Sequence, residues 1–332
     1  MKMQKILSVL LILALLFSLS ACAAAGTGTA EPIVITDHAN RTVEIHGTPE
    51  RLVSGYYITT SLLIALGLED QLVGIEAKAA SRPIYALAAP KLLELPNVGT
   101  AKEFNLEACI DLEPDLVILP LKLQSAAEQL DALGIPAICV NPEDDARLAE
   151  TVDMIAAATG TEKTAEKLLS YAKDALADLQ DSLKDADAPT VYLAGNASYL
   201  STAGASMYQN TLLENAGTVN AAASVTDTYW AEISYEQLLE WDPDCIVIVP
   251  AAAYTAEDLM NDEALSGLSA VQNGQVYAMP ADYESWDSPV PSAFMGSLWI
   301  ASRIHDDLYS EADYTETLKD FYKTFYDFDP AA

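Results

Sequence analysis

The chain has 332 residues, of which 49 are acidic and 17 basic, so its formal net charge at pH 7 is −32. A chain this acidic lacks the basic surface that binds a phosphate backbone, which excludes nucleic acid as a partner. A chain of this length is longer than one that ordinarily folds around a single hydrophobic core, which favours two domains.

The first 21 residues have the pattern of a signal peptide. Two lysines precede an apolar run over 6–19, which is too short to span a bilayer comfortably. The run ends in "LSAC", which resembles the lipobox of bacterial lipoproteins and implies that lipid is attached to Cys22. We therefore predict a signal peptide over 1–21, a lipidated tether over 22–31, and a protein anchored at the extracytoplasmic face of the cell membrane.

The remainder of the chain alternates short β-branched runs with helical patterns. An alternating segment around "HAN" predicts a hairpin of edge strands, and the alternation from residue 51 onward predicts parallel βαβ units. Apolar residues at helical spacing before Pro189 predict one long helix. We therefore predict an α/β fold with two Rossmann-like lobes of mainly parallel sheet. The expected boundaries are an N-terminal lobe over 32–160, a connecting interdomain helix over 161–187, and a C-terminal lobe over 188–332.

One pattern occurs in both predicted lobes. "LEACIDLEPDLVIL" begins at Leu106 and "YEQLLEWDPDCIVI" begins at Tyr235, each with glutamate in second place. Each copy predicts a helix that a proline stops before a buried strand. Because crossover helices run opposite to the strands, Glu107 and Glu236 are expected near the edge of the sheet where such folds place ligands. From the repeat alone, both glutamates fit the ordinary preference for acids in the first turn of a helix.

Over nearly its whole mature length, the chain resembles the solute-binding lipoproteins of ABC importers for iron-siderophores, haem and cobalamin. The stretches that carry the resemblance are "TDHANRTVEIHGTPERLVSGYYITTSLLIALGLEDQLVGI", "VGTAKEFNLEACIDLEPDLVIL", "EISYEQLLEWDPDCIVIV" and "NGQVYAMP". The resemblance implies a ligand held between two lobes with little hinge movement. It also implies that Glu107 and Glu236 dock onto arginines of a permease dimer, which works with ATPase subunits.

Basic and aromatic residues on loops are the candidate ligand contacts. Basic and tyrosine residues near strand ends of the first lobe suggest an anionic ligand, and aromatic residues of the second lobe suit a concave site. The candidates are Tyr56, Tyr57, Arg82, Lys102, Lys122, Tyr199, Tyr229, Trp230 and Trp286. Trp286 ranks above Asp287, since an acid would repel an anion.

These features predict a monomeric binding protein that needs no cofactor and takes a chelated iron ligand of siderophore type. Cobalamin, haem and a small oxyanion such as molybdate remain alternatives. An extracytoplasmic enzyme or a ligand sensor is a less favoured function, since neither a nucleophile elbow nor a histidine cluster for a metal is present in the sequence. Cys109, Cys139 and Cys245 lie in apolar segments and are predicted to be buried thiols.

Overall fold

One parallel sheet and one mixed sheet lie on either side of a long helix in the sequence. The computed structural model describes residues 31–226 and 229–330, and Ile33–Ala332 forms one compact unit. The predicted signal peptide, Cys22 and nearly all of the predicted tether lie outside the described residues. Within those residues, no helix is both long and apolar enough to cross a membrane.

The first sheet has four strands in the order β4-β3-β5-β6, and all its pairings are parallel. Its strands are β3 Leu52–Ser54, β4 Leu72–Gly74, β5 Leu116–Pro120 and β6 Ala137–Val140. Strand β5 is buried along its whole length, as expected for an inner strand covered on both faces. The predicted hairpin is present as β1 Ile33–Thr36 and β2 Thr42–Ile45, but it forms a separate two-stranded antiparallel sheet.

The second sheet has six strands and is mixed. Strands β7, β11, β12 and β9 pair in parallel, whereas β8 and β10 extend one edge with antiparallel pairings. The strands are β7 Thr190–Ala194, β8 Ser201–Ala203, β9 Val219–Asn220, β10 Trp230–Glu232, β11 Cys245–Ile248 and β12 Val276–Ala278. The predicted α/β class with mainly parallel sheets is confirmed.

Twelve α-helices in the described residues connect and cover these strands. In the N-terminal half they are α1 Tyr57–Ala65, α2 Pro83–Ala88, α3 Leu106–Asp111, α4 Gln124–Ala132 and α5 Asp145–Thr159. The long helix is α6 Glu162–Leu183. In the C-terminal half they are α7 Tyr208–Asn215, α8 Tyr235–Trp241, α9 Ala256–Met260, α10 Ser269–Gln272, α11 Phe294–Ile304 and α12 Glu311–Tyr326.

Helix α6 matches the predicted connecting helix but is shorter at both ends. It has 22 residues, which corresponds to about 33 Å. Ala165, Leu168, Leu179 and Leu183 form its buried stripe. The division of the chain into lobes at 160 and 188 stays a prediction, so "N-terminal half" and "C-terminal half" here mean the described residues before and after α6.

The repeated pattern folds the same way twice. The side chains of Asn105 and Ser234 accept backbone N–H groups and cap α3 and α8. Each helix ends before a proline, and the residue preceding that proline is left-handed in both copies, with φ 47° at Glu113 and 39° at Asp242. The predicted helix and strand units are therefore correct. Their shared exit is a left-handed turn, which the helix-stopping role of proline alone does not predict.

The predicted thiols are also confirmed. Cys109, Cys139 and Cys245 are free and buried.

Candidate functional site

A cavity of about 320 Å³ lies between the two halves, where loops follow the carboxyl ends of β3, β4, β11 and β12. This is the edge at which open α/β sheets bind ligands. We call it the cleft cavity. Its lining residues come from both halves. Those from the N-terminal half are Tyr57, Ser61, Lys78, Ser81, Arg82, Pro83, Ile84 and Tyr85, and those from the C-terminal half are Ala251, Ala281, Tyr283, Glu284, Ser285 and Val290.

Tyr57 reaches the cleft cavity because β3 turns sharply into α1. The turn is at Gly55, where a Cβ atom would lie 2.5 Å from Leu119 Cδ2, so a larger residue would collide with β5. Tyr57 is then the first residue of α1, and its ring meets that of Tyr56 edge-on at 5.2 Å between centroids. Burial raises the pKa of the Tyr57 phenol, whereas Ser288 and Arg82 oppose the rise.

Arg82 is the half-buried cation of the cleft cavity. It directly precedes Pro83, the first residue of α2, where proline is favoured because its missing N–H has no helical partner. The guanidinium carbon lies 3.9 Å from the centroid of the Tyr57 ring, a cation–π contact. Within residues 31–226 and 229–330, the guanidinium makes no hydrogen bond or ion pair that would neutralise it.

Three acids surround this pair, and burial raises the pKa of each carboxyl. Glu76 accepts hydrogen bonds from Thr60 at 2.5 Å and Tyr85 at 2.6 Å, which oppose the rise. The pKa of Asp287 is raised to about 7, although its backbone N–H and Arg82 act in the opposite direction. The third acid, Glu284, is 6 % exposed and accepts hydrogen bonds from four hydroxyl groups.

Not all the predicted basic contacts lie at the cleft cavity. Arg82 lines it together with Tyr57, and Tyr56 packs beside them. Lys102 and Lys122 are exposed and are not part of the lining. Many loops follow the carboxyl edge of a sheet, and only some of them reach the cleft cavity. A position after a strand therefore does not show whether a basic residue lines the cavity. Contact of any of these residues with ligand stays a prediction.

Trp286 does not line the cleft cavity. Its side chain is 1 % exposed, and its indole N–H donates to the Tyr322 hydroxyl at 3.1 Å, so it is part of the core. The neighbouring Asp287 is half-buried. Its carboxylate raises the pKa of the Tyr57 phenol, and Arg82 in turn lowers the pKa of the Asp287 carboxyl. Contact of either residue with ligand stays a prediction.

The other predicted aromatics of the C-terminal half do not line the cleft cavity. The Tyr199 hydroxyl is 2.6 Å from Asp262 Oδ2 and donates to it, which gives the ring a structural partner. Tyr229 is 62 % exposed and Trp230 is 38 % exposed. The Trp230 ring covers Gly195, where its Cζ3 atom lies 3.0 Å from the position that a Cβ would take.

Sequence reasoning missed Ser61, Glu76 and Glu284. Buried carboxyls are rare, and their hydroxyl partners come from distant parts of the chain. The one signal that the sequence offers is the density of polar residues in "ESWDSPVPS", which begins at Glu284.

Glu107 and Glu236 lie in the first turns of α3 and α8 and are exposed, as the repeat predicted. Backbone and Ser234 hydrogen bonds hold the pKa of Glu236 below its usual value. Both carboxylates are available to a partner surface.

A second cavity of about 480 Å³ lies beside α6. Its walls are mostly apolar, including Leu148, Leu169, Leu176 and Phe294. Its cation, Lys173, is exposed, so this cavity does not hold a buried positive charge. Among the described residues, no group of three or more His, Cys, Asp or Glu side chains could hold a metal ion.

Comparison with known proteins gives a consistent result. The periplasmic binding protein family model matches residues 52–283. Molybdate-binding protein MolA of Haemophilus influenzae is 26% identical over 96% of this chain and 95% of its own. The Fe(3+)-citrate-binding protein YfmC of Bacillus subtilis is 30% identical over 86% of this chain and 91% of its own.

Among solved structures, MolA of Haemophilus influenzae bound to molybdate superposes with a TM-score of 0.80. The alignment covers 90% of this chain and 99% of that one at 22% identity, and the likeness concerns the fold. The chain therefore belongs to the periplasmic binding protein family and is the solute-binding component of an ABC importer.

Proposed function

We propose that this protein captures a compact oxyanion of the molybdate class in the cleft cavity and delivers it to its permease. The observation that carries the proposal is the Arg82 guanidinium. It is half-buried, it stacks on Tyr57 at 3.9 Å, and within residues 31–226 and 229–330 no carboxylate or carbonyl pairs with it. A half-buried guanidinium whose N–H groups have no direct acceptor can donate charge-assisted hydrogen bonds to an anionic ligand.

The size of the cleft cavity supports a small cargo. Its volume of about 320 Å³ is near the lower limit for small-molecule sites, and it suits an ion of a few atoms better than a corrinoid or a porphyrin. A ferric siderophore, the first choice from the sequence, would have relied on Lys102 and Lys122, which are not part of the lining.

A compact ferric chelate is the second candidate, and one feature favours it. Lys78 lies at the cleft cavity with Arg82 and is exposed, so a ligand larger and more negative than a single oxyanion could meet two cations. The relatives fit both candidates, since one is named for molybdate and another for Fe(3+)-citrate.

The test is calorimetric titration of ligand-free protein with molybdate, tungstate, sulfate, phosphate, ferric citrate, cyanocobalamin and haemin. Molybdate and tungstate are expected to bind more tightly than the rest. Preferential binding of ferric citrate would select the second candidate, and binding of cyanocobalamin or haemin alone would contradict both. Native mass spectrometry of protein purified from its own host would identify a retained cargo independently.

Docking onto the permease is proposed for Glu107 and Glu236. The double variant Glu107→Gln/Glu236→Gln is expected to keep its fold and ligand affinity, because both side chains are exposed and outside the cleft cavity. Uptake should fall by about tenfold at limiting binding protein, and more steeply at low ionic strength, where charge steering is least screened. The measurement is transport in proteoliposomes containing the permease and its ATPase subunits. Transport at the wild-type rate would leave both glutamates as helix-end residues only.

Membrane anchoring is proposed for Cys22. We expect Cys22→Ser to release the protein from membranes, because a hydroxyl cannot form the thioether on which the lipid is carried. Fractionation of the native host with an antibody against the protein measures this. Wild-type protein found wholly in the soluble fraction would contradict the proposal, and Cys109→Ser serves as the control because that thiol is buried.

A further inference from the structure

One short segment of the C-terminal half touches the N-terminal half at three positions. The Tyr283 carbonyl accepts a hydrogen bond from the Ile84 backbone N–H at 3.1 Å. The Glu284 carboxylate accepts from the Ser61 hydroxyl, and the Ser288 hydroxyl is close enough to Tyr57 to lower its phenol pKa. We call residues 283–288 the bridging segment.

Glu284 is the buried centre of the bridging segment. Its Oε1 atom accepts from Ser61 of α1, which is in the other half. Its Oε2 atom accepts from Ser292, from Tyr326 at 3.2 Å and from Tyr322 at 3.4 Å, all in its own half. The carboxylate is thus fixed to the C-terminal half by three hydroxyls and to the N-terminal half by one.

The Ser61 contact lies on the same helix as the ligand-facing tyrosine. Tyr57 begins α1 and Ser61 follows four residues later, so the two side chains share one face of the helix. Arg82, which also belongs to the N-terminal half, stacks on the Tyr57 ring. Asp287 belongs to the bridging segment of the C-terminal half. A shift of Glu284 relative to Ser61 would therefore change the distance between the two walls of the cleft cavity.

We propose that Ser61 and Glu284 are positioning residues, whose hydrogen bond holds the bridging segment against α1 and sets the distance across the cleft cavity at which Arg82 receives its anion. This inference rests on the proposed function, because the anion on Arg82 is part of it. Both side chains line the cleft cavity, and their hydrogen bond joins its two walls. It acts through Tyr57 and Arg82 on one side and through Asp287 and Ser288 on the other.

Two buried serines donate to the same carboxylate and provide a matched pair of variants. Ser61→Ala removes the hydroxyl that the N-terminal half donates to Glu284. Ser292→Ala removes a hydroxyl that the C-terminal half, to which Glu284 belongs, donates to it. Both serines are at most 2 % exposed, so the two variants should lose similar thermal stability. Ser61→Thr, which keeps the hydroxyl, is the rescue variant.

The first readout needs no ligand. Hydrogen exchange of the Ile84 amide reports the bridging segment, since its acceptor is the Tyr283 carbonyl. We expect Ser61→Ala to speed this exchange about tenfold or more, and Ser292→Ala to change it less than twofold. Equal exchange in the two serine variants, or no change in either, would overturn the positioning role.

The second readout is molybdate affinity by calorimetry. We expect Ser61→Ala to weaken it about tenfold, Ser292→Ala less than twofold, and Ser61→Thr to restore it. Faster exchange with unchanged affinity would overturn the claim that this contact sets the cleft cavity. If wild-type protein binds no molybdate, the proposed ligand fails, while the exchange result still decides the positioning role.

Discussion

Arg82→Ala is expected to weaken molybdate binding by about 100-fold or more. A guanidinium can donate two charge-assisted hydrogen bonds to an oxyanion, and each such bond contributes about 1.5–3 kcal/mol. The loss should be large here because Arg82 is half-buried and no carboxylate of the described residues makes an ion pair or hydrogen bond with it, although Asp287 lies close enough to interact electrostatically. Arg82→Lys keeps the charge without the planar pair of donors and should recover only part of the affinity.

The matched control is Lys102→Ala, which removes an exposed cation that does not line the cleft cavity and should change affinity less than twofold. Calorimetric titration measures all three variants, and thermal unfolding checks that each is folded. Loss of the contact with the Tyr57 ring should lower stability only slightly, by about 0.5–2 kcal/mol. Affinity of Arg82→Ala within threefold of wild type would place the anion elsewhere.

Molybdate binding is expected to be about tenfold weaker at pH 8 than at pH 6, because of Asp287. Burial raises the pKa of this carboxyl to about 7. Below that pH the carboxyl is protonated and neutral, and it can donate to an oxyanion. Above it the carboxylate repels the ligand, so binding must take up a proton and affinity falls by up to tenfold per pH unit. Arg82, Tyr57 and Tyr208 are the ionisable neighbours that share electrostatic interactions with Asp287.

Asp287→Asn should remove most of this pH dependence and should bind at pH 8 about as tightly as wild type binds at pH 6. Asp282→Asn is the matched control, since Asp282 is an exposed acid nearby in the sequence, whereas Asp287 is half-buried and interacts electrostatically with Arg82. Titrations at half-unit intervals between pH 6 and pH 8.5 provide the measurement. A flat wild-type profile would mean that Asp287 does not meet the anion.

The sequence predicts the fold well because the fold depends on local patterns. Alternation of β-branched runs with helical periodicity indicates parallel sheets, and a stripe of apolar residues before Pro189 indicates α6. The separate sheet of the hairpin is harder to foresee. It depends on distant partners, such as the Cys139 carbonyl that accepts the His38 backbone N–H at 3.0 Å.

The candidate site can be predicted only in part, because some of its residues are placed by contacts with residues that are distant in the sequence. Tyr57 and Arg82 follow strands at the carboxyl edge, so their place near the cleft cavity can be inferred from order along the chain. Trp286 cannot be placed in this way, because Tyr322, which accepts its indole N–H, belongs to a helix 36 residues further on. Glu284 is hidden from the sequence for the same reason, since Ser61 is 223 residues away from it.

The length of the long helix also sets how the C-terminal half is rotated about the helix axis relative to the N-terminal half. Helix α6 contains no glycine or proline, and at its C-terminal end Leu183 Cδ1 lies only 2.9 Å from where a Cβ of Gly217 would be. One inserted residue would advance that end by about 1.5 Å and turn it by about 100°. The C-terminal half, Glu236 included, would then rotate by more than a quarter turn relative to Glu107. Length variation in this chain should therefore be tolerated in loops and excluded from α6, unless whole turns are added.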